Sequence, residues 1–204
     1  MTKNFSVEKI GKITSIRTGL VLSRKEAQQS DYLYQIINLK NITENGQISA
    51  ADYEKYYSNE IIKKEYLTHN NDILLRLSSP YTAVIINEKE AGLLIPSHFA
   101  IIRSGKTLDP HYLHWWLTKA RKQFYKIASG GTMMGTISTG YVQEMLIELL
   151  PIEHQQKIGE LHNLAMHEQY LLSLLADKKK QLKLQIDIAL MKSIKGDNSS
   201  QLKL

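Results

Sequence analysis

The sequence contains no cysteine, and its 204 residues include only four prolines. The absence of cysteine excludes disulfide frameworks and thiolate zinc sites, and it fits a reducing compartment. No apolar run is long enough to cross a bilayer, and the first residues, MTKNFSVEKIGKITSIRTG, lack the apolar core of a signal peptide. We therefore predict a cytoplasmic protein without a membrane segment.

Motifs for catalysis and metal binding are also lacking. His111 and His114 have the spacing of two ligands on one helix face, but no third ligand candidate lies nearby, so we expect ordinary packing or surface histidines and no metal site. The segment SSPY, from Ser78 to Tyr81, resembles the Asn/Asp-Pro-Pro-Tyr motif of adenine-methylating enzymes but lacks its amide or acid and one proline. No phosphate-binding glycine motif or serine nucleophile elbow is present. The sequence predicts no catalytic residue and favours binding over catalysis.

Positive charge, by contrast, is in excess. The formal net charge is +6 and the pI is about 9.3. The window from residue 101 to residue 126 holds six basic residues and one acid, a local net charge of +5. Clustered positive charge suits a polyanion such as DNA. The alternative interpretation of this window is an ordinary solvated helix face.

Short apolar runs, separated by glycine, proline and polar residues, predict strands in the first part of the chain. They are YLYQIINL from residue 32, DILLRLS from residue 72, TAVIIN from residue 82 and GLLIPSHFAIIRS from residue 92. Asn45-Gly46 predicts a tight turn after the first of them. The pattern indicates an α+β domain over residues 1–150, with a curled, mostly antiparallel sheet and flanking helices.

One helix in this domain has signals at both ends. Asp109 is suited to cap its first amides, Pro110 suits the first helical position, and Gly130-Gly131 ends the run. Leucine, alanine and aromatic residues form an apolar stripe along it, so we expect the aromatic residues in the core. The lysines lie on another face. A glycine-rich loop follows, in which backbone amides and hydroxyls can approach a phosphate or a base edge.

These features define a candidate DNA-binding surface. Its basic members come from the strands and from the helix, and its glycines and hydroxyl residues come from the following loop and from SSPY. The candidate DNA-binding residues are Arg76, Ser78, Arg103, Lys106, Lys119, Lys122, Lys126, Gly130, Gly131, Thr132 and Thr136.

After Pro151 the sequence predicts one long helix over residues 151–192, followed by a flexible tail over 193–204. Apolar residues recur with the alternating three- and four-residue spacing of a coiled coil for more than four heptads. Eight of the ten seam positions are apolar, and we expect them to mediate dimerisation. The predicted seam consists of Ile158, Leu161, Ala165, Glu168, Leu172, Leu175, Lys179, Leu182, Ile186 and Ala189.

The two charged seam residues indicate how two such helices pair. In a parallel dimer Glu168 would face Glu168, and Lys179 would face Lys179. In an antiparallel dimer in which Leu172 faces Leu175, Glu168 faces Lys179 instead. Since buried like charges repel and an opposite pair fixes the register, the sequence favours an antiparallel homodimer.

The order of these segments resembles a known family. NDILLRLS, then SHFAIIR and LDPHYLHWWL, then GGTMMGTIS, then LPIEHQQKI at the start of a long helix are similar to the specificity (S) subunit of type I restriction-modification systems, from about Val7 to Met191. The chain departs from the pattern at Asn71, where the family usually has glycine. The resemblance implies one target recognition domain that reads double-stranded DNA and one spacer helix, hence a half-length S subunit.

The same resemblance implies partners and a kind of target. Methylation (M) and restriction (R) subunits are the expected partners, with S-adenosylmethionine on the methylation subunit and no cofactor in this chain. A two-fold dimer predicts a bipartite palindromic target with an unread spacer. One alternative is a stand-alone DNA-binding or antirestriction protein that uses the same fold. A third hypothesis, an enzyme with an unrecognised site, has no motif in its favour.

Overall fold

A computed structural model describes residues 5–28, 30–49, 53–130 and 135–200, with side chains up to Lys192. The chain divides into two compact units, Met1–Asn163 and Leu164–Leu204. The first unit is a mixed domain of short strands and helices, and the described part of the second unit is helical. This boundary lies after residue 163, later than the division after residue 150 that the sequence suggests.

Eight strands and four α-helices are present in the described residues, besides four short 3-10 helices. The strands are β1 (Ser6–Lys9), β2 (Thr14–Thr18), β3 (Tyr32–Ile36), β4 (Glu54–Ser58), β5 (Ile73–Arg76), β6 (Ala83–Ile85), β7 (Phe99–Ser104) and β8 (Leu146–Leu149). The helices are α1 (Ile10–Ile13), α2 (Pro110–Gly130), α3 (Thr139–Glu144) and α4 (Ile152–Ser200).

The strands of the described residues form three antiparallel sheets. The largest has the order β2-β7-β5-β6, while β3 pairs with β4 and β1 pairs with β8. No sheet closes into a barrel within the described residues. The predicted α+β class with antiparallel strands is therefore confirmed, and the strands are shared among several sheets.

The four-stranded sheet is buried on both faces, which explains why β5 and β7 are continuous apolar runs. On one face Ile73 and Leu75 pack into a core shared with α2, whereas Leu74 packs on the opposite face with Phe99 and Ile101. All five side chains are at most 1% exposed. Two covered faces require apolar residues at consecutive positions, because neighbouring side chains of a strand point to opposite sides.

Helix α2 begins and ends where the sequence predicts. The Asp109 carboxylate accepts hydrogen bonds from the amides of His111 (2.9 Å) and Tyr112 (3.0 Å), and Pro110 is the first helical residue. The predicted apolar stripe is buried against the four-stranded sheet. Its members include Leu113, Leu117 and Phe124, each fully buried.

The structure shows where β7 begins and which backbone conformation precedes β5. The run from residue 92 contributes a strand only from Phe99, because Gly92 (φ 90°) and Pro96 interrupt it. Asn71 has φ 66°, in the left-handed region that glycine adopts freely and asparagine tolerates best among the other residues. Asn71 therefore has a backbone conformation that glycine adopts freely.

The first turns of α4 are fastened to the first unit by Gln155, which is 1% exposed. Its amide oxygen accepts a hydrogen bond from the Asp109 amide (2.8 Å), and its amide nitrogen donates to the carbonyls of Thr107 (3.1 Å) and Leu150 (2.7 Å). A Cβ atom at Gly159 would lie 2.6 Å from Cβ of His111, so glycine is needed there. The backbone of α4 is helical to Ser200, beyond the predicted end at Lys192.

Candidate nucleic-acid interface

Helix α2 carries a lysine row, defined as Lys119, Lys122 and Lys126. All three are exposed, and their spacing places them on one face, away from the buried stripe. The ammonium of Lys119 lies 4.3 Å from the centre of the Trp115 ring, a cation–π contact that orients it at the surface. The predicted lysine face is therefore a continuous exposed row that can contact phosphates.

The turn after β5, from Ser78 to Tyr81, packs beside the second half of α2. The Arg121 guanidinium donates from Nε to the Pro80 carbonyl (2.5 Å) and from a terminal nitrogen to the Glu44 carbonyl (3.3 Å). The Tyr81 hydroxyl donates to the Gly135 carbonyl at 2.5 Å. The turn is thus held between α2 and the segment that follows the glycine loop.

Three of the candidate DNA-binding residues meet at this turn. Ser78 pairs with Thr136 in an isolated antiparallel bridge, and the Ile137 amide donates to the Leu77 carbonyl at 2.8 Å. Arg76 ends β5 next to them, with Nε 3.5 Å from the Ser78 hydroxyl. We call Arg76, Ser78 and Thr136 the turn cluster. It brings one guanidinium and two hydroxyl residues together at the end of β5.

Two residues of α2 join this surface although they were not among the candidates. Arg121 anchors the turn, and Tyr125 is 40% exposed one helical turn further on. A hydrogen bond from Ser79 and then the Arg121 guanidinium lower the pKa of Tyr125 below its usual value. Their four-residue spacing, next to the lysine face, could have indicated from the sequence that Arg121 and Tyr125 are neighbours on the helix surface.

Arg103, one of the predicted DNA contacts, forms an ion pair within the domain. Its guanidinium forms a two-pronged ion pair with Asp72, at 2.9 and 3.0 Å, and also donates to the Leu67 carbonyl at 3.0 Å. The Asp72 side chain is only 4% exposed. An arginine with these fixed partners inside the domain has few donors left for a phosphate.

The remaining candidates are dispersed. Lys106 is exposed in the turn before α2, at the opposite end of the helix from Lys126. Gly130 is the exposed last residue of α2, and no atom lies within 4 Å of a Cβ built on it. Gly131 and Thr132 lie outside the described residues. The described candidates that come together are therefore the turn cluster and the lysine row.

Helix α4 presents a second candidate surface. Nine of the ten predicted seam residues, from Leu161 to Ala189, are exposed in the single chain. Ile158 differs, because it is half-buried and packs against the core of the first unit. The exposed leucines are large: Leu161 is 70% exposed, Leu172 59% and Leu182 57%. A row of exposed leucines at coiled-coil spacing is typical of a helix that pairs with another helix.

Histidines from α2 and from the start of α4 meet inside the first unit. His114 is 3% exposed, and its ring lies 5.1 Å from that of His162. The His114 Nε2 atom lies 3.1 Å from the Ala83 carbonyl, and since a carbonyl only accepts, Nε2 carries the proton. In the described residues no group of three or more histidine, aspartate or glutamate side chains is arranged to hold a metal.

This histidine pair makes stability depend on pH. Burial lowers the pKa of His114 from 6.5 to about 4, and burial also lowers the pKa of His162. The unfolded chain then binds more protons than the folded chain between these values, so stability falls as the pH drops from 6.5 towards 4. We expect His114 alone to contribute up to about 3 kcal/mol to this decrease in the free energy of unfolding.

We expect His114→Gln to reduce this pH dependence, measured as the melting temperature between pH 7 and pH 4.5. His154→Gln is the matched control, because His154 is exposed. Equal slopes for the two variants would contradict the assignment to His114.

No helix in the described part of the chain is both long enough and apolar enough to cross a membrane. The domain, its basic surface and the exposed helix face have the arrangement of a candidate DNA-recognition domain followed by a long helix.

The family follows from comparison with known proteins. The family model described as the type I restriction modification DNA specificity domain matches residues 2–185, and the chain belongs to this family. The family is one of non-catalytic DNA-recognition subunits, so the chain is a specificity module and not an enzyme. A search of curated proteins finds no significant match.

Solved structures share the fold. One describes complex assembly and conformational transition of the type I R-M system (TM-score 0.60, 14% identity, 84% of this chain and 40% of that chain). A second is the HsdS subunit from Thermoanaerobacter tengcongensis (TM-score 0.54, 14% identity, 83% of this chain and 38% of that chain). A third is the S subunit of a type I restriction-modification system from M. genitalium (TM-score 0.53, 12% identity, 82% of this chain and 40% of that chain). The chain thus spans about two fifths of the length of these structures.

Proposed function

We propose that this protein is the sequence-reading subunit of a type I restriction-modification system and that it directs methylation and cleavage subunits to a bipartite DNA target. The observation that carries the proposal is the family match over residues 2–185, which includes both the recognition domain and most of α4. The exposed lysine row and the turn cluster supply the cationic and hydrogen-bonding groups that DNA recognition requires.

The exposed seam of α4 supports pairing with a second helix. An antiparallel homodimer would place two recognition domains about a two-fold axis, so they would read identical half-sites in inverted order. The half-sites would be separated by DNA that neither domain reads. A second, different specificity chain on the same helix face would make the target asymmetric instead.

The proposed chemistry resides in partner subunits. The methylation subunit would hold S-adenosylmethionine and transfer its methyl group, and the restriction subunit would cleave, while this chain determines where they act. The competing function is a stand-alone DNA-binding or antirestriction protein of the same fold, which would require no permanent enzyme partner.

Co-expression with a type I methylation subunit encoded in the same genome tests the proposal. We expect the two chains to copurify as a stable complex and to methylate genomic DNA at one bipartite motif, mapped by methylome sequencing. The methylation subunit without this chain is the control and should leave that motif unmodified. A chain that binds DNA tightly but retains no methylation subunit would favour the stand-alone function. Methylation by this chain alone would contradict both.

The lysine row gives a prediction for DNA binding. Replacing Lys119, Lys122 and Lys126 together by alanine should weaken binding to every duplex, because lysine contacts to phosphates are independent of sequence. The slope of log affinity against log salt should become shallower by about three, one for each lost contact. Fluorescence anisotropy at several salt concentrations measures both quantities.

The control for this variant removes the same charge elsewhere. Lys63, Lys64 and Lys89 are exposed on other segments, and their replacement by alanine should change the salt slope less. Equal effects of the two triple variants would show that only net charge matters and that the row is not a binding face.

A further inference from the structure

Arg76 is an unusual arginine. It is half-buried at the end of β5, on the sheet face that also carries the buried Leu74. Within the described residues its one polar partner is the Ser78 hydroxyl, 3.5 Å from Nε, and no carboxylate lies within 4.0 Å. The terminal nitrogens of its guanidinium therefore have no acceptor within that part of the chain.

The other arginines of the first unit that are withdrawn from solvent are matched with acceptors. Arg103 is paired with Asp72, and Arg121 donates to two carbonyls. Partial burial of a guanidinium without an acceptor is unfavourable, since a buried charge needs a partner. Arg76 thus has the arrangement of a group whose acceptor lies outside the described residues, as a bound ligand would.

Among the described residues, the polar groups near Arg76 include hydroxyls and a histidine ring. Ser78 and Thr136 supply hydroxyls at their bridge, and the buried Nε2 of His98 has no partner in the described residues. Burial and then the positive charge of Arg76 lower the pKa of His98, so its ring is neutral at pH 7. A site with one cation and several hydrogen-bonding groups suits an acceptor edge such as that of a base.

We propose that Arg76 reads a guanine through its major-groove edge, an inference that rests on the proposed DNA-recognition function. Nε lies 3.5 Å from the Ser78 hydroxyl, so the terminal N–H groups remain as a fork. Such a fork matches O6 and N7 of guanine, two acceptors side by side. In this proposal the exposed lysine row contacts phosphates. A half-buried arginine with a free fork is suited to recognise a base edge, because its hydrogen bonds are directional.

Selection from a random-sequence DNA duplex library tests the inference with the full chain. We expect the wild-type chain to enrich a motif with an invariant guanine, once in each half-site if the protein is a dimer. Arg76→Ala should lose the preference at that position only and should bind the wild-type motif roughly ten- to a hundredfold more weakly, as expected for one bidentate base contact. Arg76→Lys should keep general affinity and show a weaker guanine preference than the wild type, because an ammonium lacks the planar fork of the guanidinium. Arg24→Ala, at an exposed arginine elsewhere, should enrich the wild-type motif.

A modified duplex tests the contact without changing the protein. Replacing the invariant guanine by 7-deazaguanine removes the N7 acceptor, which should weaken wild-type binding but leave Arg76→Ala binding unchanged. An unchanged motif for Arg76→Ala would overturn the inference and leave the proposed function intact. A uniform loss over all sequences, with a salt slope shallower by about one, would identify a phosphate contact and also overturn it. If the wild-type chain enriches no motif, the proposed function itself fails.

Discussion

Asp72→Ala is expected to destabilise the recognition domain by about 3–5 kcal/mol, the usual cost of breaking a buried ion pair from one side. The Asp72 side chain is 4% exposed and accepts two hydrogen bonds from Arg103 and one from the His69 amide (2.9 Å). Removing it leaves the Arg103 charge partly buried without its counter-ion. Chemical denaturation followed by circular dichroism measures the change in the free energy of unfolding.

The matched control is an exposed ion pair between two other parts of the same domain. Lys9 and Glu144 pair across the surface with side chains 46% and 66% exposed. Glu144→Ala should cost at most about 1 kcal/mol, because solvent screens such pairs. A similar small loss for Asp72→Ala would mean that Arg103 is not held by this carboxylate, and it would reopen the question of an Arg103 contact with DNA.

Local signals explain which elements the sequence could predict. Helix α2 has its cap, its first proline and its terminal glycine within its own segment, so both ends were predictable from neighbouring residues. Strands β1 and β4, SVEK and EKYYS, were missed because they are short, polar and largely exposed. They are strands because of their partners: Lys9 of β1 pairs with Leu146 of β8, far along the chain.

In the candidate site, too, contacts between distant segments could not be predicted from the sequence. Arg103 counts as one of the basic residues of the sequence window. Its ion-pair partner, Asp72, lies 31 residues earlier, and only the register of β5 with β7 brings the two side chains together. Arg121 lay inside the basic window, yet its role in holding the turn at Pro80 depends on a contact 41 residues away. Exposed residues that follow a helical period, such as the lysine row and the seam, need no such information and were predictable.

The helix pairing can be tested through its two charges. We expect Glu168→Lys to weaken the proposed dimer, because in the antiparallel register the new lysine would face Lys179 at two symmetric places. Lys179→Glu should weaken it for the same reason, with two glutamates in contact. Each single variant should raise the dissociation constant at least tenfold, since two like-charge contacts together cost more than about 1.4 kcal/mol. Sedimentation analysis of the full chain over a range of concentrations measures this.

The double variant, Glu168→Lys with Lys179→Glu, distinguishes the registers. In the antiparallel dimer it restores opposite charges at both places, so most of the lost affinity should return. In a parallel dimer each seam residue faces its own copy, so like charges meet in the wild type and in every variant, and the exchange restores nothing. Lys180→Glu is the control, because it makes the same charge change next to the seam and outside it. A wild-type chain that is monomeric at micromolar concentration, or a double variant no better than the singles, would exclude antiparallel self-pairing.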